Sequence, residues 1–262
     1  MEVRIIGTPR SGTNLTKYLV ERHLGVRAIF NRGFWKHAIF PSLIEDNTLT
    51  FGGMPVVVVS RDPISQIYAW YRLARERGTI FSPAPDPLAF VDSPLTMTLI
   101  SFPPHTISYR FARPIDYWNQ FHFAPLSLER SGAPIRFIRY EDLQNEPERV
   151  LGAIAGFLGL DAPKLAGPIR LPDAELEMTH DGDGLTGDRM LKPDVLFDRE
   201  RSSLATAVAK FGQKHSLDIL SAADPDVLAA TNRADYREAV EAALGKRSIR
   251  VRGRSALRRL GI

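Results

Sequence analysis

The tightest restriction on the fold of this chain lies at residues 3–15. Val3-Arg4-Ile5-Ile6 reads as a short apolar strand, and Gly7-Thr8-Pro9-Arg10-Ser11-Gly12-Thr13-Asn14 as a glycine-bearing loop. Leu15, Tyr18, Leu19 and Arg22 then follow at helical spacing. Strand, tight loop and helix form an anion cradle, because successive backbone N–H groups and the positive end of the helix converge on one spot. The loop has nearly the length of the ATP-binding loop G-x-x-x-x-G-K-[ST] but not its chemistry. Thr13 stands in place of the lysine, and Asn14 in place of the Ser/Thr that holds Mg²⁺. The cation comes earlier, at Arg10. This cradle is expected to take an oxyanion other than a Mg-bound γ-phosphate.

Two further segments extend the pattern. Pro55-Val56-Val57-Val58-Val59-Ser60 is a continuous β-branched run, as expected of a strand buried on both faces. It ends in Arg61-Asp62-Pro63, and Ile64, Ile67, Tyr68 and Tyr71 predict a helix over 63–77. An arginine at the carboxyl end of a parallel strand lies where open α/β sheets bind ligands. Residues 135–140 read as another strand, closed by Arg139-Tyr140-Glu141-Asp142-Leu143. Asn145 is the expected N-cap of a helix over 146–158, with Pro147 in its first turn and Val150, Leu151, Ile154 and Phe157 on one stripe. With strands at 3–7, 26–30, 55–60 and 135–140, the expected fold class is α/β. It is a P-loop-like three-layer α/β/α arrangement with a central, mostly parallel sheet and a helical C-terminal part. Helices are expected at 13–24 and 114–131, with Pro125 a potential break, and again at 202–215, 224–232 and 235–244. Residues 78–113, rich in Pro and aromatics, and residues 172–203 read as irregular.

These blocks resemble the sulfotransferases that use 3′-phosphoadenosine 5′-phosphosulfate (PAPS). The family's 5′-phosphosulfate loop, roughly Pro-Lys/Arg-Ser-Gly-Thr-Thr/Asn, is matched by Pro9 to Asn14. Its strand-Arg-Asn/Asp-Pro-helix segment is matched at Arg61-Asp62-Pro63, and its Arg-Tyr-Glu-Asp-Leu and Phe-Leu-Gly-Leu runs at 139–143 and 157–160. The resemblance implies that Arg10, Ser11, Gly12, Thr13 and Asn14 hold the 5′-phosphosulfate and that Arg61 holds the 3′-phosphate. A planar guanidinium with paired donors suits phosphate oxygens. The family serine that also binds the 3′-phosphate falls at Ala69, and Ser65, one turn earlier, is the substitute candidate. The family's late loop Arg-Lys-Gly-x-x-Gly-Asp-Trp is matched only in part. Gly184, Gly187 and Asp188 fit its skeleton, Gly182-Asp183 replace Arg-Lys, and Arg189 replaces Trp. Arg189, Lys192 or Arg199 are candidates to restore the lost charge.

Sulfuryl transfer to a hydroxyl or amine is close to phosphoryl transfer, with in-line attack and charge gathering on the equatorial and leaving oxygens. It needs a base, positive charge and precise positioning. The group carries less charge than a γ-phosphate, so side-chain cations and N–H dipoles can serve without Mg²⁺, and no metal is expected. The favoured base is His37, which follows the second strand and so lies toward the ligand edge; an imidazole titrates near neutrality. The family places Lys-x-His at its site, whereas Lys36 and His37 are adjacent here and come earlier in the chain. Lys36 is the candidate for stabilising the leaving group. His105, His122 and Glu45 are rival bases. His23 reads as structural, and His180 and His215 are unassigned.

Composition sets the outer limits. A chain of 262 residues is expected to form one α/β domain over 1–245, with 78–113 as an insertion, followed by a basic tail over 246–262. The absence of cysteine excludes disulfides and thiolate metal sites. The chain opens almost directly in a strand and has no apolar run of membrane-spanning length, so neither signal peptide nor stem is expected and a cytoplasmic location is. The formal net charge of +4 is concentrated in the tail, whose seven Lys and Arg residues have no acidic neighbour. Such a tail suits peripheral contact with an anionic inner membrane surface or a glycan. Without an aromatic residue to stack on bases, it does not suggest nucleic acid. The acceptor stays open between a carbohydrate or glycolipid, which the aromatic insertion and tail would suit, and a phenol or small alcohol. Two other classes stay open: a nucleotide-dependent phosphotransferase on the same scaffold, and a non-catalytic binder of anionic glycan or membrane.

Overall fold

The computed structural model describes residues 1–30, 36–39, 53–77, 81–100, 106–161, 169, 178–180, 188–190, 203–232 and 234–245. Its central sheet contains β1 (Glu2–Gly7), β2 (Arg27–Ile29), β3 (Val56–Ser60) and β6 (Ile135–Arg139), in the spatial order β2-β1-β3-β6 and all parallel. Around it lie α1 (Thr13–Leu24), α2 (Pro63–Arg77), α4 (Pro114–Arg130), α5 (Tyr140–Asn145), α6 (Pro147–Phe157), α7 (Leu204–Ala222), α8 (Pro225–Thr231) and a last helix over 236–245.

Strand β3 shows why the sheet has helices on both sides. Val56 to Val59 are all fully buried. Alternate side chains of a strand point to opposite faces. Val56 and Val58 join a core with Ile64 and Ile67 of α2, Trp118 of α4 and Phe211 of α7. Val57 and Val59 join a second core with Leu19 of α1, Leu143 of α5 and Ile154 of α6. Each buried Val contributes roughly 1.5–3 kcal/mol, against about 1 kcal/mol for the whole spread of strand propensity. Burial, more than propensity, holds this strand in place.

The chain leaves β1 in two directions. It passes through α1 to β2 on one side, then crosses to β3 on the other. Such a reversal opens a crevice at the carboxyl ends of β1 and β3, the usual ligand position in open α/β sheets. The register pairs Gly7 with Val59, so the loop after β1 and Arg61 after β3 emerge side by side. In the first half of α1, buried Lys17 ties the helix to β2. Its ammonium donates to Glu21 at 2.7 Å and to the Ala28 carbonyl at 2.5 Å, while Glu21 accepts the Ala28 amide at 3.1 Å.

Several expectations need correction. The supposedly irregular 78–113 contains α3 (Pro87–Asp92), capped by Asp86, and an antiparallel hairpin of β4 (Leu95–Ile100) and β5 (Thr106–Phe111). Its aromatic residues Phe81, Phe90 and Phe111 are buried against Trp70, Tyr71 and Tyr117. They are core, so they do not argue for a sugar or apolar acceptor. Pro125 does not break α4, because Phe121, Ala124, Leu126 and Leu128 bury around it. That packing outweighs the ~3 kcal/mol cost of an interior proline. Residues 172–203 include a short ladder of β7 (Met178–His180) and β8 (Asp188–Met190). Tyr140 starts helix α5 rather than ending a strand, and Glu146, not Asn145, is the cap of α6. The helix expected at 202–215 runs to Ala222 across a kink at Gly212. Glu45, His105, Gly182 to Gly187, Lys192, Arg199 and the tail 246–262 lie outside the described residues.

His122, a rival base, is wholly buried in α4. Its Nδ1–H donates to the Trp118 carbonyl at 2.7 Å, and its ring lies 4.7 Å from that of Trp118. Burial pushes its pKa down to about 4, so it is neutral in the folded chain. The unfolded chain binds the extra proton from about pH 6.5 downward, so stability from this group is full above that pH and lost toward pH 4. By pH 5 the loss is about 2 kcal/mol. Denaturant unfolding of wild type and His122→Phe at pH 7 and pH 5 is expected to show the gap between the two pH values narrowing by about that much in the variant. An unchanged gap would refute this assignment.

Candidate functional site

The loop after β1 is shaped by what holds its carbonyls. The Pro9 carbonyl accepts from Gln66 Nε2 at 2.5 Å and from Trp70 Nε1 at 2.6 Å, both on α2. The Arg10 carbonyl accepts from Arg61 Nη1 at 3.2 Å. Neighbouring peptide groups whose carbonyls are drawn toward α2 have their N–H groups turned the other way. Arg10 has φ 67°, the only non-glycine among the described residues at positive φ. A non-glycine there costs roughly 1–2 kcal/mol, a strain typical of ligand-binding turns.

Gly12 begins α1 at φ 97°. No side chain caps this helix, and its first turn holds no acidic residue. The positive helix end therefore faces the loop unopposed. A Cβ on Gly12 would strike the Tyr140 ring. Gly7 is under equal pressure, since a Cβ there would lie 2.7 Å from the Val59 carbonyl oxygen. Three hydroxyls, Thr8 Oγ1, Ser11 Oγ and Ser65 Oγ, are buried without a hydrogen-bond partner among the described residues. Buried hydroxyls ordinarily have partners, and leaving one unmade costs about 1–3 kcal/mol.

Arg61 is 3% exposed. Its guanidinium lies 4.8 Å from the Tyr140 ring centre, and its carbonyl accepts from Trp118 Nε1 at 3.1 Å. Asp62 follows. Its Oδ1 accepts from the Ser65 amide at 2.8 Å, capping α2, and from Tyr236 Oη at 3.0 Å. The Asp62 amide donates to Glu141 Oε1 at 3.1 Å. Desolvation, and then the nearby Asp62 carboxylate, push Glu141 up to about 7, against the pull of Arg61. Burial keeps Tyr236 well above its usual range, with Asp62 adding to the effect, so it stays a donor.

Lys36 and His37 are both buried beside this loop. The Gly7 amide donates to the Lys36 carbonyl at 3.1 Å, which lays their segment along the end of β1. Lys36 Nζ donates to Asn14 Oδ1 at 2.7 Å and sits 3.6 Å over the Phe30 ring. His37 Nδ1–H donates to the Gly7 carbonyl. In the neutral ring the lone pair then resides on Nε2. Tyr117 donates to the His37 carbonyl at 2.8 Å and Tyr109 to that of Ile39 at 2.6 Å. Burial raises the pKa of both phenols.

The structure thus brings Arg10 to Asn14, Lys36, His37, Arg61 and Ser65 to one edge of the sheet. Among the other histidines, His215 lies on α7, 3.5 Å from Asp92, and His23 near the end of α1. The backbone of His180 pairs with Asp188 in the β7–β8 ladder. Gln66, Trp70, Tyr109, Tyr117, Trp118 and Tyr236 went unread in the sequence, where each was indistinguishable from an ordinary helix or hairpin residue. In the sequence Glu141 was only one residue of the run that closes a strand, and its company in the fold was the missing signal.

In Gly12→Ala, the residue gains both unfavourable φ and the Tyr140 clash. Gly25→Ala, at φ 64° with open space around it, gains only the first. Gly12→Ala is expected to lose about 1–3 kcal/mol more than Gly25→Ala in denaturant unfolding. Equal losses would show that Tyr140 does not press on the loop.

No protein-family model matches the chain, and no curated protein matches it in sequence. Among solved structures it is similar to the mouse sulfotransferase SULT7A1 complexed with PAP, with a TM-score of 0.50 and 12% identity. The likeness covers 93% of this chain and 89% of that one. It shows the fold, a P-loop-like α/β arrangement of the sulfotransferase type. Among the described residues no helix is long and apolar enough to cross a membrane.

Proposed function

We propose that this protein is a sulfotransferase that moves a sulfuryl group from PAPS to a hydroxyl or amine of an acceptor. One observation carries the reading. An anion loop without the Walker lysine, and a buried arginine, emerge side by side from β1 and β3, among three buried hydroxyls that lack a hydrogen-bond partner among the described residues. That donor set fits a ligand with two separate anionic groups. The similar mouse enzyme was solved with PAP, and its likeness over most of both chains supports the same choice.

PAPS supplies the sulfuryl group. The chain's own groups do the rest. The loop amides, with Arg10, Ser11, Thr13 and Asn14, hold the 5′-phosphosulfate, and Gly12 lets the backbone approach it. Arg61 holds the 3′-phosphate, with the buried Ser65 hydroxyl in place of the family serine missing at Ala69. Lys36, already bonded to Asn14, supplies positive charge where the leaving oxygen becomes negative. His37 takes the acceptor's proton at Nε2, because its Nδ1–H is committed to Gly7. Tyr117 holds the histidine's backbone from behind.

The test is calorimetric titration of PAP, adenosine 5′-phosphate and Mg-ATP. Wild type is expected to bind PAP most tightly and adenosine 5′-phosphate much more weakly. Arg61→Ala is expected to lose at least about tenfold in PAP affinity, since a charged hydrogen bond is worth about 1.5–3 kcal/mol. His37→Ala is expected to keep PAP affinity. A preference for Mg-ATP would turn the assignment to a phosphotransferase. A folded protein that binds none of the three would overturn it.

A further inference from the structure

Beside Arg61 lie the buried Asp62 and the half-buried Glu141, two charges that holding a phosphate does not require. Glu141 is hydrogen-bonded to the backbone of Asp62: its Oε1 accepts the Asp62 amide at 3.1 Å, while Asp62 Oδ1 accepts from Ser65 at 2.8 Å and Tyr236 at 3.0 Å. Asp62 follows Arg61 directly in the chain, and Glu141, bonded to the Asp62 amide, feels the charges of both. With both ionised the local charge is −1, which opposes an incoming phosphate. With one proton on the pair it is zero.

We propose that Glu141 is the proton-linked partner of Arg61: an anion bound at Arg61 draws a proton onto the Asp62–Glu141 pair, so its affinity depends on pH near neutrality. The inference rests on the reading of Arg61 as an anion-binding residue and adds a regulation of that site. Among the described residues, these groups face Glu141. From the β3–α2 turn come Arg61 and Asp62; from the last helix comes Tyr236, which stays protonated and donates to Asp62. On α5 itself, Tyr140 covers Arg61. Asp142 is taken up by Arg139 and Arg149 and stays ionised. Tyr236 and Ser65 both donate to Asp62, whereas Glu141 accepts the Asp62 amide and its own amide. Burial and the Asp62 charge place the titration of Glu141 at about 7. Added negative charge at Arg61 raises it further and so takes up a proton. Affinity then falls as pH rises through this range.

The experiment uses the full chain and PAP as the probe, from pH 7.0 to 8.5. The ligand's phosphates, with a second pKa of about 6, are already dianionic there. Titrations in HEPES and in Tris, whose ionisation enthalpies differ, give the protons taken up per PAP bound. Wild type is expected to take up roughly half a proton or more and to bind several-fold more weakly at pH 8.5 than at pH 7.0. Glu141→Gln keeps an oxygen for the Asp62 amide and is expected to lose both effects. PAP binding without proton uptake, or with the same pH slope in Glu141→Gln, overturns the linkage and leaves the donor site standing. No PAP binding by folded wild type at any pH overturns the donor site and the linkage together. Wild type that binds PAP without taking up protons overturns the linkage whether or not the variant folds.

Discussion

Parallel pairing of β1 with β3 sets the geometry of everything at the ligand edge. With Gly7 opposite Val59, the next residues of both strands leave the sheet at the same level. The loop and Arg61 thereby become neighbours, close enough for Arg61 to donate to the Arg10 carbonyl. A slip of one residue would invert every side chain of β3, moving Val56 and Val58 into the wrong core. The two cores on either face therefore hold the register, and through it the distance between the two anion sites.

On that frame, a second layer of contacts fixes which way the loop faces. Gln66 and Trp70 grip one carbonyl and Arg61 the next. The first two bonds come from α2, and the third from Arg61, which with Asp62 introduces that helix. One strand-to-helix junction thus both orients the first cradle and carries the second. The strained Arg10 backbone is tolerated because its neighbours are held on both sides. The same economy appears at His37, whose ring and main chain are held by β1 and α4.

Charge is arranged less simply. Buried arginine usually implies a partner carboxylate, and here two stand nearby. Asp62 serves the helix start and Glu141 serves the Asp62 amide, so each has a structural bond apart from Arg61. Both acids therefore stay close to the cation, at the cost of a Glu141 that resists ionisation.

How far the amino-acid sequence could be read follows from the range of the forces involved. The glycines of the loop, the valine run of β3 and the helical stripes of α1, α2 and α6 are patterns within a few residues. They announce the α/β class, the order of the blocks and the place of the anion loop. Short-range reading also has local failures. Pro125 and the proline-rich 78–113 look like breaks in isolation, but buried aromatic packing made helix and hairpin of them. The grip of α2 on the Pro9 carbonyl, the Tyr117 bond behind His37 and the Asp62–Glu141–Tyr236 group had no local sign at all. Asp62 and Glu141 are 79 positions apart, and Asp62 and Tyr236 are 174. No periodicity links residues so distant. Their meeting is a product of strand order and helix packing, and with it came the burial that gives a carboxylate from a plain helix turn its unusual affinity for a proton.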